Sequence, residues 1–220
     1  MFHLDILKDI YVEKHYSMPI VPKYTGKVPS QLIRFNEAMR SKCNDATVHF
    51  YIDDTQFMCI QRAPERYLPI MRRFTSTIGP DFSQYVNMPS AIRYSNAFWN
   101  RAISAWWSQN GVSVIPNLTW STPDSYGYSF SGMPRHSIIA IGSMGVAKYA
   151  ASRYLWQQGY KEMLRQLKPE LIIRYGEPFP CEAISCSIYF LNEQLMRGRE
   201  RSRELKASKK EYHNNQLKMF

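Results

Sequence analysis

The chain has 220 residues, 45% of them hydrophobic, and carries 28 Lys plus Arg against 18 Asp plus Glu for a formal net charge of +10. That length suits one domain able to bury roughly 70% of the surface its unfolded form would expose, so no disulfide or metal staple is required. No apolar run approaches the ~18 to 20 residues of a membrane helix, and the N-terminus MFHLDILKDI lacks a signal peptide's continuous apolar stretch, so the expectation is a basic cytoplasmic protein with no membrane partner.

In chain order, MPIVP (18–22) reads as a weak edge strand because proline stands at both sides. PSQLIRFNEAMRSK (29–42) sets Leu32, Phe35 and Met39 on one helical stripe. VHFYID (48–53) reads as a strand that runs straight into two adjacent carboxylates, Asp53 and Asp54. PERYLPIMRRF (64–74) offers Tyr67, Ile70, Met71 and Phe74 to a helix in which Pro69 must lie in the first turn or make a break. STIGPDF (76–82) is the next strand.

SAIRYSNAFWNRAISAWWSQNG (90–111) is the clearest helix. Ala91, Ile92, Ser95, Phe98, Trp99, Ala102, Ile103 and Trp106 keep the spacing of a core-facing stripe; Arg93, Asn96, Asn100, Arg101 and Ser104 fill the other face; Gly111 caps it. VSVIPNL (112–118), SIIAIGS (137–143) and LIIRYG (171–176) complete the strands. Near-continuous apolar runs indicate strands covered on both faces, and alternation with helices implies right-handed crossovers. The expected fold is α/β: a single domain over residues 1–188 with five or six mainly parallel strands, either an open sheet or an incomplete TIM-like barrel. A basic C-terminal helix or arm follows over residues 189–220, where Arg197, Arg199, Arg201, Arg203, Lys206, Lys209 and Lys210 outweigh Glu200 and Glu204.

Ligands of parallel α/β folds bind beyond the carboxyl ends of the strands. Those ends deliver Asp53, Asp54 and Gln56; Asp81 and Ser83; Asn117, Thr119 and Trp120; Ser143 within GSMG; and Tyr175 and Glu177. Four acids at equivalent ends, Asp53, Asp54, Asp81 and Glu177, are the catalytic candidates if the protein is an enzyme. Gln56, Ser83, Asn117, Trp120, Ser143 and Tyr175 are candidate ligand contacts. GSMG could turn backbone N–H groups and a helix N-terminus toward a phosphate, although it has neither a P-loop ending nor GxGxxG. Cys43, Cys59, Cys181 and Cys186 form no CxxC pair and the histidines lie far apart, a spacing that does not suit zinc.

Three function classes stay open on these residues. One is binding of nucleic acid or a nucleotide at the strand ends, with the basic arm adding affinity for polyanions. Another is a phosphodiesterase, nuclease or other hydrolase whose acids hold Mg²⁺ or Mn²⁺ or share acid/base work. The third is a protein-only inhibitor or adaptor that acts through its surface.

VHFYIDDTQF, GPDFSQYVNMP, NGVSVIPNLTW, GMPRHSIIAIGSMG and GYKEMLRQLKPELIIRYG, in this order, resemble the phage and mobile-element family known as domain of unknown function 4417. The resemblance covers roughly residues 18–178, with Thr55 where the family pattern leads one to expect an aromatic residue. It implies a mobile-element context in a prokaryotic host cell, and it supplies no activity, cofactor or catalytic residue.

Overall fold

Hydrogen bonds join the strands strictly in chain order in the computed structural model, which describes residues 4–42, 44–146, 149–176, 178–180, 182 and 187–190. The strands are β1 Leu32–Arg34, β2 Thr47–His49, β3 Ser76–Ile78, β4 Val114–Ile115, β5 Asn117–Leu118, β6 Ile138–Gly142, β7 Leu171–Tyr175 and β8 Ser187–Phe190. Every pairing among them is parallel. The helices are α1 Phe35–Ala38, α2 Cys59–Arg62, α3 Pro64–Met71, α4 Ser90–Gln109, α5 Tyr126–Phe130 and α6 Ala150–Leu167. None of these is long and apolar enough to cross a membrane.

The expected strand VSVIPNL is divided in two by Pro116, which has no N–H to give to a ladder. β4 pairs with β3 on one side of the proline and β5 pairs with β6 on the other. Pro116 still accepts, from the Ala140 N–H at 2.8 Å, so one segment links two four-stranded sheets into one order.

That combined sheet curls. β2 and β7 are four strand spacings apart, which would be about 19 Å in a flat sheet. Yet the rings of Tyr51, just past β2, and Tyr175, at the end of β7, stack with centroids 4.8 Å apart. Tyr51, Ile78, Ile115, Ala140 and Ile173 form one buried cluster, drawn from five positions around the order. The architecture is therefore an incomplete barrel whose interior is filled by side chains. Gly142 belongs to this packing: a Cβ there would lie 2.7 Å from the Tyr51 ring.

Residues between those interior positions face the helices. Val48, Phe50 and Val114 join Phe57, Trp99 and Trp107 in one outer core, and Leu118, Ile139, Ile141 and Ile172 join Trp156 and Tyr160 in another. Each such side chain fully withdrawn from water contributes about 1.5–3 kcal/mol.

Several expectations change. Residues 29–42 are not one helix: Leu32, Ile33 and Arg34 pair with Thr47, Val48 and His49, and α1 is a single turn. Three spaced apolar residues fit a short strand plus a turn as well as they fit a helix. MPIVP joins neither sheet, since Pro19 makes an isolated antiparallel bridge to Val12 and the Val21 N–H donates to the Gly132 carbonyl at 2.8 Å. Pro69 sits inside α3, which continues past it to Met71. β8 carries the chain as a strand through Phe190, across the position where the sequence suggests the basic arm begins. The arm residues Arg197, Arg199, Arg201, Arg203, Lys206, Lys209 and Lys210 lie outside the described residues.

The largest correction concerns α4. Trp99, Ala102 and Ile103 are buried as expected, but Ile92 is 49% exposed while Arg93, Asn100, Arg101 and Ser104 are buried. Much of the polar face looks inward, because it covers the polar loop that follows β3 and the polar segment from Thr122 to Ser131.

Candidate functional site at the barrel mouth

Parallel strands bring all their carboxyl ends to one rim. Inward side chains alternate along each strand, so Thr47, His49 and Tyr51 enter the barrel while Val48 and Phe50 face the helices. Beyond β2 the chain bends into a short 3-10 turn, Asp54–Gln56, and the two adjacent acids part company. Asp53 Oδ1 accepts from the N–H and hydroxyl of Thr55, at 2.9 and 2.5 Å, and caps the turn in solvent. Asp54 points across the mouth and accepts from the N–H (3.0 Å) and hydroxyl (2.8 Å) of Ser83.

Asp81 follows β3 after Gly79 and Pro80. Its Oδ1 accepts from Asn117 Nδ2 at 2.9 Å and from the Thr119 hydroxyl at 2.5 Å, both delivered by the end of β5. Asn117 is fully buried, and its own Oδ1 accepts from the Tyr51 hydroxyl at 2.9 Å. The mouth thus connects β2, β5 and β3 through a chain that runs from Tyr51 to Asn117 to Asp81.

The electrostatics follow from this placement. Burial, only partly offset by Thr119 and Asn117 and reinforced by the nearby Asp54 charge, pushes the Asp81 carboxyl up to about 6. Burial also raises Asp54 above the ordinary carboxylate value, against the lowering effect of Ser83. Asp53 moves the other way, lowered by its bonds from Thr55. His49, buried beside Tyr51 and Tyr175 with Arg34 nearby, is brought down to about 3, which keeps its imidazole neutral. Its Nδ1 accepts the Tyr51 N–H at 3.2 Å, so the ring proton belongs on Nε2.

The inward polar face of α4 holds the loop that carries Asp81 and Ser83. Asn100 Nδ2 donates to the Pro80 carbonyl and Asn96 Nδ2 to the Ser83 carbonyl at 2.6 Å. Arg101 is wholly buried; it donates to Asn100 Oδ1 at 2.8 Å and to the Ser129 carbonyl, and burial lowers its pKa to about 9. α4 thus supplies donors to the Pro80 and Ser83 carbonyls, and leaving a buried carbonyl without a donor costs about 1–3 kcal/mol.

The structure therefore gathers Asp54, Asp81, Ser83 and Asn117, with Tyr175 stacked on Tyr51 behind them. Gln56 is exposed on the rim, where its Oε1 accepts from Asn36 at 2.6 Å. Ser143 is buried, with its N–H on the Tyr175 carbonyl at 3.2 Å. Trp120 is not at the mouth: its ring packs against Trp156 and Phe130 in the outer core, and its indole N–H donates to the Trp156 carbonyl at 3.2 Å. GSMG does not open a helix, because α6 begins only at Ala150. Glu177 lies outside the described residues, as do Cys43, Cys181 and Cys186. Among the described residues no three His, Cys, Asp or Glu side chains gather closely enough to hold a metal ion.

Sequence reasoning passes over His49 and Tyr51. The signal is present in TVHFYI, where Thr, His and Tyr alternate with Val, Phe and Ile; that is period two with a polar inner face rather than an unbroken apolar run.

Comparison with known proteins places the chain among phage proteins. Its residues 11–191 match the family described as Domain of unknown function (DUF4417). It is 34% identical over 161 residues to the Gene 1 protein of Mycobacterium phage L5, which covers 72% of this chain and 70% of that protein. It is 31% identical over 161 residues to the Gene 1 protein of Mycobacterium phage D29, where the match spans 72% of this chain and 60% of the relative's length. No solved structure matches. On the length of the family match and the identity to the phage relatives, the chain belongs to the DUF4417 family.

Proposed function

We propose that this is a nucleotide- or nucleic-acid-binding accessory protein of a phage or mobile element, acting in the cytoplasm of its prokaryotic host, with the barrel mouth as the base-reading site. The observation that carries the reading is the pair Asp54 and Asp81, brought together from different strands and held by neutral donors rather than by cations. Such carboxyls accept well from the N–H groups of a base edge and repel phosphate. Phosphate attraction then falls to the basic arm, from Arg197, Arg199, Arg201 and Arg203 to Lys206, Lys209 and Lys210, through a field that carries no sequence information.

The test is equilibrium binding of mononucleotides and single-stranded oligonucleotides at several salt concentrations. Asp81→Asn should abolish mononucleotide binding with the fold intact, and removal of residues 197–220 should reduce the salt slope for oligonucleotides while sparing mononucleotides. If no nucleotide or oligonucleotide binds the full chain, or if Asp81→Asn binds as well as the natural protein, the proposal is wrong.

A second reading rests on one specific observation. A carboxyl at about 6 can both give and take a proton near neutral pH, as a general acid or base must. Phosphodiesterase or nuclease activity with Mg²⁺ or Mn²⁺, lost in Asp81→Asn, would favour this hydrolase reading over simple binding. Docking on a host or phage protein is the outcome left if the mouth binds nothing and turns nothing over.

A further inference from the structure

We infer that Tyr51 is a positioning residue for the mouth, whose hydroxyl fixes the Asn117 amide so that Asp81 meets its ligand through Oδ2 alone. This rests on the reading of Asp81 as a ligand-binding carboxyl and adds how that carboxyl is aimed.

The Asn117 amide can sit in two orientations that differ by exchange of its O and N. On one side it faces the Pro80 carbonyl at 3.3 Å, an acceptor that can never donate, and Asp81 Oδ1 at 2.9 Å. The amide nitrogen must therefore be on that side. The amide oxygen is left facing Tyr51, whose hydroxyl donates to it. Burial raises the phenol well above its usual pKa, so it keeps the proton that this bond requires. The ring itself has little room to move: it stacks on Tyr175 at 4.8 Å and 15°, lies 5.6 Å from His49, and occupies the space that a side chain on Gly142 would take.

Asp81 Oδ1 receives both the Asn117 N–H and the Thr119 hydroxyl. Two donors use both lone pairs of that oxygen. Any further hydrogen bond, and any proton that Asp81 carries, falls to Oδ2. The site then offers a ligand one carboxyl oxygen of Asp81, not the two-oxygen fork that grips a guanidinium. Among the described residues, the charged or titratable groups that face this carboxyl are Asp54 and Tyr51.

Tyr51→Phe removes one hydroxyl and leaves the ring, and the Asp81 titration can be followed by carboxyl carbon-13 resonances without any ligand. The midpoint should rise by about half a unit, because a donor to the ionised form is loosened, and mononucleotide affinity should fall roughly tenfold. Tyr24→Phe is the control: Tyr24 belongs to the same interior cluster but donates to the Lys27 carbonyl, so its loss should move neither quantity. Thr119→Val removes the second donor at the rim and should also raise the midpoint. An unchanged Asp81 midpoint in Tyr51→Phe or Thr119→Val, or an equal shift in Tyr24→Phe, overturns the inference. A shifted midpoint in a protein that binds no nucleotide upholds the positioning role and removes the nucleotide reading instead.

Discussion

Two acids stand beyond strand ends of the same barrel and receive opposite treatment. Glu182, after β7, is fully buried against Arg174, whose Nε donates to Oε2 at 2.8 Å; its other oxygen accepts the Phe179 N–H at 2.7 Å. The guanidinium is in turn seated over the Trp156 ring at 4.7 Å. Asp81, after β3, receives the neutral donors Asn117 and Thr119 and sits near a second acid, Asp54. A compensated charge is structural: its geometry is complete within the protein. A carboxyl burdened by burial and by a like charge gains when a donor or a cation arrives, and that is the difference between a brace and a candidate site.

The largest effect should come from breaking the brace. Arg174→Met leaves a buried carboxylate without its cation, and Glu182→Gln leaves the cation without its acid; each should cost about 3–5 kcal/mol in denaturant unfolding. The double variant Arg174→Met, Glu182→Gln should recover a good part of that loss. Single variants that unfold within ~1 kcal/mol of the natural protein would show that the pair is not a brace.

Asp81 should behave the other way. Its folded pKa of about 6 lies above the ordinary 3.8, so the folded state holds the proton more tightly than the unfolded chain. Well below pH 3.8 both states are protonated and nothing is lost. As pH rises toward 6 and beyond, folding forfeits up to about 3 kcal/mol, from roughly two pKa units at 1.36 kcal/mol each. Asp81→Asn should therefore be more stable than the natural protein at pH 7, approach it in stability as pH falls below 3.8, and be unable to bind ligand. A natural protein whose stability does not fall relative to Asp81→Asn between pH 4 and 7 would place Asp81 among the braces.

The contrast also marks what the sequence reveals. Parallel strands, crossover helices and the barrel alternative are legible, because apolar runs of strand length separated by helical patterns allow little else. The strand-end acids are legible as positions too. Their grouping is not, since it depends on how far the sheet curls, and the curl rests on cross-barrel contacts such as Tyr51 on Tyr175, which are 124 residues apart along the chain. α4 was the harder case. Its apolar and polar stripes are both real, but which one faces inward is set by the carbonyls of Pro80 and Ser83 that need donors, and no helical periodicity contains that information. Trp120 is turned away from the mouth for a related reason: one step along an extended segment takes a side chain from the mouth to the helices.

The finest comparison is between the neighbours Asp53 and Asp54. Both are aspartates in one dipeptide, yet their carboxyls meet different surroundings, Thr55 in solvent and Ser83 at the part-buried mouth. From a common ordinary value of 3.8, Asp53 is lowered and Asp54 is raised. The signs of their linkage are therefore opposite: the Asp53 contribution is present above that value and fades as pH falls through its folded pKa, whereas the Asp54 penalty is absent at low pH and develops as pH rises. Asp53→Ala removes only an exposed cap of a three-residue turn, so it should lower the melting temperature slightly near neutral pH and leave ligand binding unchanged. Asp54→Ala strips the Ser83 N–H and hydroxyl of their acceptor and removes one of the two mouth acids; binding should be lost for a comparably small change in melting temperature. Carboxyl titrations of the natural protein that move both residues in the same direction, or binding that survives Asp54→Ala but not Asp53→Ala, would exchange the roles given to the pair.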